Sequence, residues 1–267
     1  MVPSSNWHVA STVVTPDRIS WAIKTMAPFK SPGIDGIYPI PLQKGLQHLL
    51  DPLCDIYRAS FALGYILQTW RTSRVTFMPK PGKTDYTIAR SYRPISLTSF
   101  LLKGLEKLVD RYLRSGPLVS VPIHPRQHAF QAGKSTESAL HQLVGRIDKA
   151  LDAREYSLGV FFDIEGAFDN TSCKSVRLAL DECKVHRSIR NWTITMLAHR
   201  TILARTESFS ISAIASCGLP QGGGLSPILW SLVADSLLKW LSKQGVFAQG
   251  FADDVILICG RILNIIM

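Results

Sequence analysis

The adjacent aspartates Asp253 and Asp254 are the residues whose types and spacing point most directly to chemistry. Apolar residues flank them at 246–247 and 255–258, a pattern typical of two strands joined by a tight turn. Both acids are therefore predicted to stand at the tip of a β-hairpin. Because adjacent carboxylates repel each other, a hard cation with oxygen ligands is one way to hold them together. A solvated turn is the other interpretation, since Asp is common in turns.

A third acid, Asp163, ends an apolar run at residues 157–163, which we predict to be a buried strand. A strand that delivers a carboxylate at its C-terminal end sets that acid on a rigid element. Asp163 and Asp253 would then share two magnesium ions about 3.5–4 Å apart, an arrangement that serves in-line phosphoryl displacement. Asp163 alone is equally consistent with a strand-end acid in a cap. The two acid-bearing segments together favour a metal site.

The charge of the chain suggests its class of partner. The 267 residues carry a formal net charge of +10, and residues 58–115 hold eleven Lys or Arg against three Asp or Glu. Such a balance fits a polyanion, either nucleic acid or an acidic membrane surface, and it also describes a merely solubilising face.

The cysteines and the apolar runs indicate the cellular compartment in which the protein is expected. The five cysteines are odd in number and form no C-x-x-C pair, which argues against a disulfide framework or zinc site and for a reducing compartment. No signal peptide is visible, and no apolar run approaches the roughly 18 residues that span a bilayer. We therefore expect an intracellular protein of the nucleus or cytoplasm, not secreted and without a membrane partner.

The elements before the first acid alternate between helical and extended patterns. Helices are predicted from Thr15 to Pro28, from Leu46 to about Gly64 and over 101–113, where basic residues form a stripe that would suit a phosphate backbone. Strands are predicted over 74–80 and 91–97, joined as a hairpin.

The predicted hairpin carries Lys80, Lys83 and Arg93, which would bind a triphosphate. The Arg93 guanidinium could donate bidentate hydrogen bonds to two phosphate oxygens. A solvated basic hairpin is the alternative. Pro94 in the returning strand indicates an edge or irregular position, because proline cannot donate to a ladder.

Two glycine-containing stretches can be compared with known ligand-binding loops, and they predict different structures. Gly133-Lys134-Ser135 imitates the end of a P-loop, but His128 stands where the first glycine should be, so Ser135 or Thr136 is better interpreted as a helix cap. Residues 218–227 are a glycine-rich loop that opens onto a helix. Consecutive glycines let a ligand approach the backbone closely, although a flexible loop would look the same.

The order of these pieces resembles the reverse transcriptases of non-long-terminal-repeat retrotransposons. The stretches that carry the resemblance are Ser31-Pro32-Gly33-Ile34-Asp35-Gly36, Arg93-Pro94-Ile95-Ser96-Leu97, residues 127–136, Phe162-Asp163-Ile164-Glu165-Gly166-Ala167-Phe168-Asp169, residues 218–227 and Phe251-Ala252-Asp253-Asp254. They cover nearly the whole chain and stand in the family's order, which makes the resemblance specific.

The resemblance implies an α+β, right-hand polymerase fold of fingers and palm, with an antiparallel palm sheet packed on helices. An N-terminal helical extension would span residues 1–30, the fingers with the palm-entry helices 31–155, and the palm 156–267. It also implies an RNA template, a DNA primer, deoxynucleoside triphosphates as substrates, and two Mg²⁺ ions, with Mn²⁺ as a substitute.

The resemblance also implies roles for individual residues. Asp163, Asp253 and Asp254 match the family's metal-site acids, which makes them the expected catalytic residues. Phe168 is similar to the aromatic gate that excludes a ribose 2′-hydroxyl. Gln221-Gly222 correspond to the family's template and nucleotide contact, and Arg93 is similar to its triphosphate-binding arginine. Lys80 is a further expected substrate-binding residue, but it matches the family less closely.

Two departures from the family pattern bear on activity. Gly223-Gly224 replace the usual Ser and branched residue, which we expect to loosen the loop. The family's palm continues into further motifs and a thumb, whereas this chain ends at Met267, so we expect a fingers–palm fragment without a thumb. A non-catalytic nucleic-acid-binding remnant is therefore an alternative. An RNA-dependent RNA polymerase is disfavoured, because it would carry Asp where Phe168 stands.

Overall fold

The computed structural model describes residues 3–198, 200–205 and 209–261 of the chain. The chain divides into two compact units, the first formed by Met1–Val121 with Phe168–Ser226 and the second by Pro122–Ala167 with Pro227–Met267. Each unit combines helices with a sheet, which confirms the predicted α+β class. The last part of the predicted palm, residues 262–267, lies outside the described residues.

The secondary structure follows the chain in this order. The helices are α1 (Ser4–Val13), α2 (Pro16–Lys24), α3 (Pro39–Lys44), α4 (Leu46–Leu63), α5 (Gln68–Arg71), α6 (Phe100–Ser115), α7 (Pro117–Ser120), α8 (Thr136–Asp152), α9 (Ala167–Asn170), α10 (Cys173–Glu182), α11 (Arg187–Leu197) and α12 (Ser226–Lys243). The strands are β1 (Thr72–Pro79), β2 (Tyr92–Leu97), β3 (Tyr156–Asp163), β4 (Arg200–Arg205), β5 (Ser210–Ala215), β6 (Phe247–Phe251) and β7 (Asp254–Arg261). Among the described helices, none is long and apolar enough to cross a membrane.

The helices of the first unit pack around α4. Its end is set by Gly64, which adopts a left-handed φ of 63° that favours glycine. Tyr57 and Phe61 of α4 are fully buried. The Tyr57 hydroxyl donates to the Leu101 carbonyl at 2.7 Å, and the Phe61 ring meets Trp192 edge to face at 4.7 Å between centroids. These contacts join α4 to α6 and α11.

The sheet of the first unit has the strand order β2-β1-β4-β5. Strands β1 and β2 form the predicted antiparallel hairpin, with Met78 opposite Arg93. Strand β2 lies at the edge, which confirms the position inferred from Pro94. Strand β1 also pairs in parallel with β4, with Thr72 opposite Thr201.

The second unit is an antiparallel sheet of order β3-β7-β6 with a helix on each face. Because side chains alternate between faces, Ile256 of β7 shares one face with its register partner Gln249 of β6. The Gln249 side-chain amide donates to the Ala139 carbonyl at 2.8 Å, which places α8 over this face. On the opposite face, Val255 packs with Leu238 of α12.

Strand β3 has the predicted position but not the predicted burial. The run before Asp163 was expected to be a buried strand, yet Leu158 is 65% exposed and Phe161 75% exposed. An edge position alone does not explain this exposure, because β6 at the other edge of the described sheet is largely buried. The apolar cluster around Leu238 of α12 includes Ala248 of β6 and Val255 of β7 but, among the described residues, no residue of β3, whose side chains are left exposed.

Candidate functional site

The tip of the β6–β7 hairpin carries Asp253 and Asp254, as predicted. Phe251 pairs with Asp254, so Ala252 and Asp253 are the two turn residues between the strands. Ala252 has a φ of 55°, a left-handed conformation that costs a non-glycine residue about 1–2 kcal/mol. Two hydrogen bonds hold the turn: the Trp230 indole N–H donates to the Ala252 carbonyl at 2.8 Å, and the Ile164 N–H donates to the Asp253 carbonyl at 3.2 Å. The backbone that presents the acids is therefore fixed from two sides.

Asp163 faces this hairpin directly. In the antiparallel register of β3 and β7, Asp163 is the partner of Asp254, so their side chains emerge on the same face of the sheet. All three carboxylates are exposed. Burial, Asp253 and Asp163 together raise the pKa of Asp254. The three acids thus lie within electrostatic reach of one another, and their mutual repulsion would be relieved by a cation.

The donor set fits a hard divalent cation by its chemistry, because carboxylate oxygens are the ligands that Mg²⁺ and Ca²⁺ prefer. In the part of the chain that the structure describes, no three His, Cys, Asp or Glu side chains are already gathered closely enough to hold a metal ion. The register of Asp163 and Asp254 brings the backbones together. Convergence of the carboxylates on one ion would then require side-chain rotation.

A cavity of about 480 Å³ adjoins the acids within the second unit. Its lining residues are Thr136, Ala139, Leu140, Phe161, Phe162, Asp163, Gln249, Gly250, Phe251, Asp254, Val255 and Ile256. Because most of these side chains are apolar, charges at its mouth are screened less than in open water.

The basic hairpin of the first unit carries the predicted phosphate-binding residues. Arg93 is exposed on the edge strand β2, and Lys80 is half-buried directly after β1. The Lys80 N–H donates to the Ser91 carbonyl at 2.8 Å, and its carbonyl accepts from the Tyr86 hydroxyl at 2.8 Å. The backbone of Lys80 is thereby fixed beside the strand of Arg93.

The glycine-rich loop is joined to that same strand. The Ser96 N–H of β2 donates to the Gln221 carbonyl at 2.7 Å. Gly222 is exposed and has a φ of 104°, and a Cβ there would come within 3.0 Å of the Ser96 carbonyl oxygen. Close approach of two backbones therefore requires glycine at this position.

The loop is also joined to the helix that carries Phe168. The Leu219 N–H donates to the Phe168 carbonyl at 2.7 Å, and the Gln221 side-chain amide lies 3.5 Å from each carboxylate oxygen of Asp169. Phe168 itself is half-buried. The structure thus brings Phe168, Gln221, Gly222 and the strand of Arg93 together in the first unit, and the three acids together in the second.

The loop is anchored at Gly223-Gly224, where the sequence led us to expect loosening. The Gly223 N–H and the Ser226 hydroxyl both donate to the Pro220 carbonyl, at 2.9 and 2.8 Å. A Cβ at position 223 would lie 2.7 Å from the Ser226 hydroxyl oxygen. The compact turn explains why glycine fits here: a larger residue would force this hydroxyl to move.

Two charged residues at this loop escaped the sequence analysis. Glu106 of α6 is fully buried, and its Oε2 accepts a hydrogen bond from the Gly224 N–H at 2.9 Å. The available signal was its position on the apolar stripe of α6, three or four residues from Leu102 and Val109. Arg200, also buried, donates to the carbonyls of Cys217 and Gly218, and nothing in its sequence context marked it.

Comparison with known proteins relates the chain to one family. Residues 78–264 match the family model described as reverse transcriptase (RNA-dependent DNA polymerase). The chain is 29% identical, over 91% of its length, to the retrovirus-related Pol polyprotein from type-1 retrotransposable element R1 of Bradysia coprophila, of which it covers 24%. It is 28% identical, again over 91%, to the RNA-directed DNA polymerase from mobile element jockey of Drosophila melanogaster, of which it covers 27%. The chain thus spans about a quarter of the length of these curated relatives.

The fold has a counterpart among solved structures. Apo telomerase from Candida tropicalis, truncated from the C-terminal domain, aligns with a TM-score of 0.52 at 14% identity, covering 73% of this chain and 44% of that one. At this identity the likeness concerns the fold alone, and it agrees with the predicted polymerase architecture.

Proposed function

The chain belongs to the reverse transcriptase (RNA-dependent DNA polymerase) family, and from that premise we propose that it carries the polymerase centre of a non-long-terminal-repeat retrotransposon. The proposed reaction is attack of a DNA primer 3′-hydroxyl on the α-phosphate of a deoxynucleoside triphosphate, directed by an RNA template, with pyrophosphate leaving. The observation that carries this proposal is the register that sets Asp163 opposite Asp254 beside Asp253.

The three acids would hold the divalent ions that this family generally uses. When bound, two Mg²⁺ ions, or Mn²⁺, would lower the pKa of the primer hydroxyl and neutralise charge on the phosphates. Asp163 would contribute its carboxylate from a strand end, and Asp253 and Asp254 theirs from the hairpin. The two hydrogen bonds to the turn would keep these ligands in place.

The first unit would bind the nucleotide and template. Arg93 would fork onto the triphosphate, with Lys80 as a second cation. Phe168 would exclude a 2′-hydroxyl by its bulk, and Gln221-Gly222 would contact nucleotide and template through exposed backbone. The hydrogen bonds of the loop to Phe168 and to β2 support a common role for these residues.

The predicted domain boundaries enter this proposal as well. Residues 31–155 would act as fingers and 156–267 as palm, preceded by a helical extension at 1–30. The two acid-bearing segments, which both fall within the proposed palm of 156–267, lie together in the second unit, and this supports their assignment to the palm. An intracellular location would follow from the RNA template and the nucleotide supply.

Primer extension tests the proposal. We expect Mg²⁺-dependent addition of deoxynucleotides to a DNA primer on an RNA template, by the chain itself or by a version extended with a thumb. Asp253→Asn should abolish synthesis, whereas Asp51→Asn, which removes an exposed carboxylate of α4, should not. Template binding without synthesis by the extended wild type would instead favour the non-catalytic remnant.

A further inference from the structure

Glu106 is a buried carboxyl group that the proposed reaction does not use directly. It lies on α6 with no exposed surface, between the apolar side chains of Leu105 and Val109 on the stripe that faces the core. A carboxyl group is rarely buried completely unless it is paired, because burial removes its hydration. Its presence on this stripe therefore requires a specific partner.

That partner is the backbone of the glycine-rich loop. The Gly224 N–H donates to Oε2 of Glu106 at 2.9 Å. Within the described part of the chain, the other oxygen, Oε1, is buried without a hydrogen-bond partner. The contact joins positions far apart in sequence, so it fixes the loop against a helix of the core rather than against its own neighbours.

The charged groups that face Glu106 favour its ionised form. Burial is the largest effect and raises the pKa of Glu106, while the Gly224 N–H, the Lys103 ammonium, the Leu225 N–H and the Arg200 guanidinium act in the opposite direction. Lys103 comes from the same helix, and Arg200 from the start of β4. In either protonation state the carboxyl group retains an oxygen that can accept from the Gly224 N–H.

Other anchors hold the rest of the same loop. Arg200 donates to the carbonyls of Cys217 and Gly218, at 2.9 and 2.6 Å. These hydrogen bonds fix the loop on the N-terminal side of Gln221 and Gly222. Ser96 donates to the carbonyl of Gln221. Glu106 fixes the loop directly after these residues, so the segment 221–223 is held at both ends.

We propose that Glu106 is a positioning residue, whose carboxyl group fixes the Gly224 backbone and thereby sets the Gln221–Gly222 segment for nucleotide and template binding. This inference rests on the proposed function of that segment. It predicts that the accepting oxygen, rather than the negative charge, is what the loop requires.

Amide hydrogen exchange tests the contact without any catalysis. Glu106→Gln keeps an accepting carbonyl oxygen, whereas Glu106→Met fills similar space without one. We expect the Gly224 amide to keep its protection in Glu106→Gln and to exchange about tenfold faster or more in Glu106→Met. Should Glu106→Met not fold, Glu106→Asp, which withdraws the oxygen by one methylene, should show the same faster exchange. Unchanged protection of Gly224 in the folded Met or Asp variant would overturn the proposal.

Steady-state kinetics test the consequence for binding. The kinetics are measured in a version of the chain that synthesises DNA. Loss of the contact in Glu106→Met, or in Glu106→Asp if the Met variant does not fold, should raise the KM for the nucleotide about tenfold and change kcat by less than about threefold. Glu106→Gln should restore the wild-type KM, and Asp51→Asn serves as the charge-matched control. A fall in kcat with unchanged KM, or no rescue by Gln, would overturn the positioning role. Absence of synthesis by wild type would refute the polymerase proposal, while the exchange experiment would still decide the contact.

Discussion

Gly218→Ala is the substitution whose cost can be derived most fully from the geometry of the loop. Gly218 has a φ of 81°, and a Cβ there would lie 2.6 Å from the Asp169 carbonyl oxygen. The Gly218 N–H donates to Thr171 at 2.8 Å and the Leu219 N–H to Phe168 at 2.7 Å. The clashing atom belongs to the backbone of Asp169, so the alanine would push the segment at Gly218 away from the segment at Asp169. Both hydrogen bonds between these segments would then be strained.

The expected magnitude is the sum of two contributions. A left-handed conformation costs an alanine about 1–2 kcal/mol. Weakening two hydrogen bonds adds roughly 0.5–1.5 kcal/mol each, or about 1–3 kcal/mol together. Gly82→Ala is the matched control, because Gly82 has a φ of 76° but a Cβ there meets no described atom within 4 Å. It should show the first contribution without the second.

Urea unfolding of both variants gives the comparison. We expect Gly218→Ala to lower the free energy of unfolding by about 1–3 kcal/mol more than Gly82→Ala does. Equal losses in the two variants would refute the claim that Gly218 is required by the close approach of the two segments.

Three further outcomes are expected. Trp230→Phe should lose the hydrogen bond to the Ala252 carbonyl, which lowers the free energy of unfolding by about 1 kcal/mol and reduces primer extension; an unchanged melting temperature and rate would contradict this role. Because the folded-state pKa of Asp254 is raised, the stability linked to its protonation is present below the ordinary pKa of an aspartate and is lost as the pH rises through the raised value. Asp254→Asn should therefore flatten that part of the pH–stability curve in metal-free buffer, and an identical curve would argue against the raised pKa that burial and the two neighbouring acids produce. Phe168→Ala should relax discrimination against ribonucleotides by roughly 10–100-fold, measured as the ratio of kcat/KM values, and unchanged selectivity would remove the gate assignment.

The elements that the sequence predicted correctly depend on local signals. The helix α2 begins where Thr15 caps it, α4 ends where Gly64 turns left-handed, and the cap of α8 is Ser135, one of the two predicted candidates. The acid-bearing hairpin is equally local, because two apolar runs on either side of a two-residue turn specify it. Each of these features is determined by residues a few positions apart.

The features that the sequence did not predict depend on contacts between distant segments. The parallel pairing of β1 with β4, which sets Thr72 opposite Thr201, has no local signature. The exposure of β3 follows from the absence of its residues from the described apolar cluster at α12, and an apolar run such as 157–163 has the same sequence pattern whether or not a helix covers the strand. The anchoring of Gly224 by Glu106 could be suspected only from an acid on an apolar stripe.

Manganese binding, followed by electron paramagnetic resonance, tests most directly whether the three acids form one metal site. The wild-type chain should bind Mn²⁺, and Mg²⁺ should displace it. Asp163→Asn and Asp253→Asn should each bind at least about tenfold more weakly, because losing even an outer partner of a metal ligand costs roughly 10–100-fold, while Asp51→Asn should bind as wild type does. Wild-type affinity in Asp163→Asn would contradict the account, since it would show that the strand-end acid and the hairpin acids do not hold the same ions.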